Sequence, residues 1–161
     1  MAHQDGLTTY PMRFVRVATH DGLPLDGVVI EPAGRLRGAV LIVHGAGSHF
    51  YQRLHQRFAI AFADAGYRVL TGNNRGHDLG AYIPNDGPEL VLGGSAWERF
   101  GDCVHDVRAW IDQIEQEFDG HALPLVLVGH SLGAAKVAFY QATTQDPRVR
   151  AVVGCSGLAI G

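Results

Sequence analysis

The stretch Pro124-Leu-Val-Leu-Val-Gly129-His130-Ser131-Leu132-Gly133-Ala-Ala-Lys136 limits what this chain can fold into more than any other. Aliphatic residues run into a glycine, a serine stands two positions on, and a second glycine follows. Val137, Tyr140 and Gln141 then continue a helical pattern at once. That order predicts a strand, a very sharp turn and a helix. So short a turn forces the serine backbone into a strained conformation and lifts its hydroxyl out of the sheet. Side chains at Gly129 or Gly133 would collide with the strand or helix that the turn brings close. The serine also stands at a helix N-terminus, where free amides and the dipole favour negative charge on an attacked carbonyl oxygen. An ordinary glycine-bounded turn with an N-cap serine shares the five-residue pattern, and the chain holds 21 glycines. The strand before and the helix after separate the two readings.

Around this stretch the chain reads as alternating strands and helices. Residues 1 to 12 form a lead-in. Arg13 to Thr19 alternates polar and apolar residues, Asp21-Gly22 supplies a turn, and Leu25 to Glu31 follows, which predicts an antiparallel strand pair. Gly38 to His44 is an unbroken apolar run, as a strand covered on both faces requires. Tyr51, Leu54, Phe58, Ala61, Phe62 and Ala65 recur at helical spacing up to Gly66, and Tyr67 to Thr71 returns as a strand. Residues 79 to 94 read as a long Gly- and Pro-containing loop that could form a lip of the site. Ser95-Ala-Trp-Glu98 has capping-box spacing, and Phe100, Val104, Val107, Ile111, Ile114 and Phe118 mark one helix face ending at Gly120. The elbow strand and its helix (132 to 145) follow, then Asp146-Pro147 and a last strand from Val149 to Cys155. The expected fold class is α/β, with a three-layer, mostly parallel sheet and an antiparallel N-terminal strand pair.

Composition bounds the partners. The 161 residues are 47% hydrophobic, enough for one domain with a core, and the net charge of −3 with scattered Arg and Lys points away from nucleic acid and anionic membranes. No run approaches 18 apolar residues, and the N-terminus lacks a basic, apolar leader, so a cytoplasmic location is expected. Cys103 and Cys155 lack metal or redox spacing and read as small core residues. Nine dispersed histidines offer no helical i, i+4 pair, so neither metal nor cofactor is expected.

A second motif, His44-Gly45-Ala46-Gly47, follows the first parallel strand directly. As a dinucleotide loop it fails, because Phe50 stands where a third glycine is needed. Together the two motifs resemble the α/β-hydrolase superfamily, with Gly129-His-Ser131-Leu-Gly133 as the nucleophile elbow and His44-Gly45-Ala46-Gly47 as the HG-x-G turn of esterases and lipases. The resemblance implies a serine hydrolase acting on a small-molecule carboxylic ester through an acyl-enzyme on Ser131. The backbone amides of Ala46 and Leu132 would hold the oxyanion. The side chain of His44 is expected to anchor its loop, and His130 to pack away from the nucleophile. In Asn73-Asn-Arg75-Gly-His77-Asp78, Arg75 or Asp78 could serve substrate, against the blander reading of a self-bracing loop. The family's general base and acid follow later strands, and members run to about 250 residues or more. The resemblance therefore implies one domain over residues 1–161, incomplete at its C-terminus and truncated after the sixth strand, with triad acid and histidine beyond Gly161. A non-catalytic, hydrolase-like binding or scaffold domain is the other reading. Neither reading fixes an oligomeric state.

Overall fold

The computed structural model describes residues 3–4, 7–32, 34–83, 90–118 and 123–155. In chain order the elements are β1 (His3–Gln4), β2 (Leu7–Thr8), β3 (Met12–Ala18), β4 (Pro24–Ile30), β5 (Gly38–Val43), α1 (Arg53–Asp64) and β6 (Tyr67–Gly72). There follow β7 (Ala81–Ile83), β8 (Val91–Gly93), a 3₁₀ turn (Phe100–Asp102), α2 (Cys103–Gln116), β9 (Leu125–His130), α3 (Leu132–Thr144) and β10 (Val149–Cys155). Six strands form the central sheet in the order β10-β9-β5-β6-β4-β3. The pairs β10/β9, β9/β5 and β5/β6 are parallel, while β4 is antiparallel to both β6 and β3. This is the α/β sheet with an antiparallel N-terminal pair expected from the sequence.

Alternation along the strands builds two apolar layers, because successive side chains leave a strand on opposite faces. On one face Ala39, Leu41 and Val43 of β5 join Leu125 and Leu127 of β9 and meet Val107, Trp110, Ile111 and Ile114 of α2 and Val137 and Tyr140 of α3. On the other, Val40, Ile42, Val69 and Val128 meet Ala59 and Ala63 of α1. Every residue of β5 is buried, which accounts for its unbroken apolar run. Trp110 lies over Gly27 and Gly72, which pair across β4 and β6; a Cβ on Gly27 would come within 2.9 Å of the indole. Its Nε1–H donates to the Asn73 carbonyl at 2.8 Å, so the ring is both packed and satisfied.

Three expectations are corrected. Ser95 and Glu98 do not cap a helix: the chain turns at residues 94–98 through bonds from the Trp97 and Glu98 amides to the Gly94 carbonyl, and α2 begins only at Cys103 after the 3₁₀ turn. The Glu98 carboxylate is drawn inward to Lys136 instead. The 79–94 loop carries the short antiparallel pair β7 with β8, and residues 84–89 lie outside the described residues. The lead-in contains the short β1/β2 pair. Gly66 ends α1 with φ +91°, as expected, whereas α3 ends on Gln145 in the left-handed region, a position nothing in its residue type signals. Gly120 and residues 156–161 lie outside the described residues.

Candidate active site

The C-terminal ends of β6, β5 and β9 are adjacent in the sheet, and each gives way to a loop on the same edge, where open α/β sheets build their sites. Ser131 joins β9 to α3 with φ +54° and ψ −124°, a region that costs a non-glycine residue about 1–3 kcal/mol and persists only when the surroundings impose it. The surrounding backbone imposes it. A Cβ on Gly129 would run into the Gly133 carbonyl, and one on Gly133 into the carbonyls of Val43 and His44, so strand, turn and helix close to backbone contact. The Ser131 N–H donates to the Cys155 carbonyl at 3.0 Å, and the Ser131 carbonyl accepts from Ala134 N–H at 2.9 Å. Ser131 itself is exposed. As the first residue of α3, Leu132 has no intrahelical acceptor for its amide.

The turn after β5 lies against this serine. A Cβ on Gly45 would sit 2.9 Å from Ser131 Cβ, 3.0 Å from the His130 carbonyl and 3.2 Å from Ser131 Oγ, so only glycine fits. Gly47 has φ +60°, a conformation glycine adopts without strain. Ala46 is exposed between them, and among the described residues its amide donates to no carbonyl. His44 is buried and both ring nitrogens are engaged: Nε2 accepts from the Asn74 amide at 3.0 Å, and Nδ1 lies 2.9 Å from the Gly45 carbonyl. An acceptor role for Nε2 makes Nδ1–H the donor. Burial pushes the imidazole down to about 3, and the nearby Lys136 charge acts in the same direction, so the ring is neutral. His44 is thus the loop anchor anticipated from the sequence.

His130 packs away from the serine, 5.4 Å between ring centroids from His55 and 6.5 Å from Phe58. Arg75 braces its own loop. Its Nε and backbone amide both donate to buried Asp106 at 2.9 Å, and its outer nitrogens reach Asp21. Asp78 adopts φ +57° and accepts from or pairs with His77 Nδ1 at 2.8 Å. Among the described residues no histidine nitrogen is hydrogen-bonded to Ser131 Oγ. No group of three or more His, Cys, Asp or Glu among them could hold a metal ion. No helix among them is long and apolar enough to cross a membrane.

The family model described as serine aminopeptidase, S33, matches residues 34–159, most of the chain and both loops of the site. The chain belongs to this family of α/β-hydrolases. Among curated proteins it is similar to phospholipase YtpA of Bacillus subtilis (strain 168), 27% identical over 131 residues that cover 80% of this chain and 44% of that one. Among solved structures it is similar to a thermostable carboxyl esterase of Bacillus coagulans, with TM-score 0.68, 20% identity and 91% of this chain covered against 44% of the other. It is also similar to the Pyrococcus furiosus esterase Pf2001, with TM-score 0.67, 19% identity and 89% against 51%. This α/β-hydrolase chain thus spans about half the length of these relatives.

Four residues of the site region were not identified from sequence as structural partners: Asn74, Glu98, Asp106 and Lys136. Lys136 carried a readable signal, a lone charge within the apolar run from Leu132 to Tyr140. In the fold it is fully buried.

Proposed function

We propose that the protein is a serine hydrolase of esterase type, in which Ser131 attacks a carboxylic ester and carries the acyl group. The backbone amides of Ala46 and Leu132 hold the oxyanion. The observation that carries this reading is the close approach of the Gly45 turn to a strained Ser131 at the head of α3. Amide donors from two loops around one hydroxyl suit a tetrahedral intermediate, and fixed donors need no rearrangement as charge develops. His44, Gly45, Gly47, Gly129 and Gly133 support the two turns. The general base and its acid partner come from outside the described residues, and small-molecule esters are the substrate class.

Hydrolysis of p-nitrophenyl acetate by the full-length protein, triad histidine included, and by its Ser131→Ala variant tests this reading. Turnover should drop by about 10³-fold or more in the variant, because nucleophile and base act as a unit. Equal turnover in the two proteins would remove Ser131 from the chemistry and favour a binding or scaffold role.

A further inference from the structure

Behind the two turns lies a buried polar chain that the proposed chemistry does not use. Lys136, on α3, is 0% exposed, and its partner Glu98 is 5% exposed at the side chain. The Lys136 ammonium donates to the Glu98 carboxylate and, at 3.0 Å, to Asn74 Oδ1. The Asn74 Nδ2 donates in turn to the His44 carbonyl at 3.1 Å, and the Asn74 amide to His44 Nε2. Asn74 Oδ1 also accepts from the Gly76 amide at 3.1 Å.

A lysine ammonium can only donate, so it decides which end of the Asn74 amide faces it. With Oδ1 turned to Lys136, Nδ2 is left to hold the His44 carbonyl. His44 keeps Nε2 as an acceptor and Nδ1–H as the donor to the Gly45 carbonyl. That carbonyl belongs to the same peptide unit as the Ala46 amide, and in a planar trans peptide the two point in opposite directions. Holding the Gly45 oxygen toward His44 therefore aims the Ala46 N–H away from it. The Lys136 charge also disfavours protonation of His44, which would abolish the Nε2 acceptor.

We infer that Lys136, held by Glu98, is a positioning residue that orients the Ala46 amide through Asn74 and His44. This rests on the proposed role of Ser131 and of that amide. It gives a reason for keeping an ion pair in the interior, where an apolar pair of similar size is often no less stable.

The test compares Lys136→Met and the double variant Lys136→Met/Glu98→Leu with the parent protein and Ser131→Ala. Lys136→Met leaves Glu98 buried without its partner and should melt lower; the double variant removes both charges and should regain much of the melting temperature. Both should lose kcat by about 10²-fold, the effect of a misplacement of about 1 Å, with KM little changed. The amide resonance of Ala46 should shift in both variants, while the His44 ring, still held by the Asn74 main-chain amide, keeps its Nδ1–H tautomer. Recovery of kcat together with melting temperature in the double variant, or an unmoved Ala46 amide resonance, would overturn the inference and leave the pair a structural one. Undiminished turnover in Ser131→Ala would instead overturn the reading of the nucleophile on which it stands.

Discussion

Replacing Gly45 by alanine adds one methyl group at the closest approach of the two turns. Its Cβ would lie 2.9 Å from Ser131 Cβ, about 1 Å inside a comfortable carbon–carbon separation, and 3.0 Å from the His130 carbonyl. Neither neighbour can step aside cheaply. Ser131 is fixed by its bond to Cys155 and by the backbone contacts of Gly129 and Gly133, and the His130 carbonyl belongs to β9. The 44–47 turn must therefore retreat by a substantial part of an ångström, carrying the Ala46 amide with it. Overpacking of this kind costs about 1–3 kcal/mol of stability. A displacement near 1 Å in a catalytic donor costs about 10²-fold in rate. Steady-state kinetics on a short-chain ester should show kcat reduced by roughly that factor in Gly45→Ala, while Ala46→Ser, which leaves the backbone free, stays near the parent. Equal turnover in Gly45→Ala and the parent would refute the claim that this turn is placed for chemistry.

Three further outcomes follow from the fold. His44 is held neutral well below its ordinary value of 6.5, so as pH falls below that point the unfolded chain takes up a proton that the folded one refuses. Stability should decline by up to about 1.4 kcal/mol per pH unit down to about 3. His55 is depressed by burial too, so the comparison with His44→Gln in urea melts isolates the His44 share, and an unchanged slope would contradict it. Asp146 is held below its ordinary range by Arg148, against burial, and accepts a 2.6 Å bond from Tyr140; Asp146→Asn should cost about 1–3 kcal/mol at neutral pH. That difference should narrow as pH falls below the unfolded value of 3.8 toward the depressed folded one, where the parent loses the same charge. Among the described residues β10 pairs on one side only, with Val152 37% and Val153 43% exposed, so Val153→Lys should reduce any concentration-dependent association seen by light scattering.

Most of the architecture was legible because the strong periodicities belong to elements whose burial is lopsided. The β5 run, the α1 stop at Gly66 and the elbow from Leu125 to Thr144 fall within a residue or two of their expected bounds. The reading failed where local chemistry was outcompeted by a distant partner. Ser95 and Glu98 have the spacing of a helix cap, but an unpaired Lys136 in the core would cost more than a cap contributes, and Glu98 goes to the lysine. The role of His44 was legible in kind, an anchor, but Asn74 was not. An asparagine in a turn-rich run looks like any turn asparagine, and only the return of β6 beside β5 brings it to His44. Gly27 and Gly72 likewise gave no sign that a tryptophan 38 or more residues further on would lie over them.

The central claim is that one hydroxyl, that of Ser131, carries the acyl group. Treating the full-length protein with a fluorophosphonate and mapping the adduct by mass spectrometry tests it most directly, because the reagent reports the nucleophile rather than the fold. The account predicts a single modified peptide containing Ser131, absent in Ser131→Ala and strongly reduced in Gly45→Ala. Modification of another residue, or labelling that persists in Ser131→Ala, would contradict it.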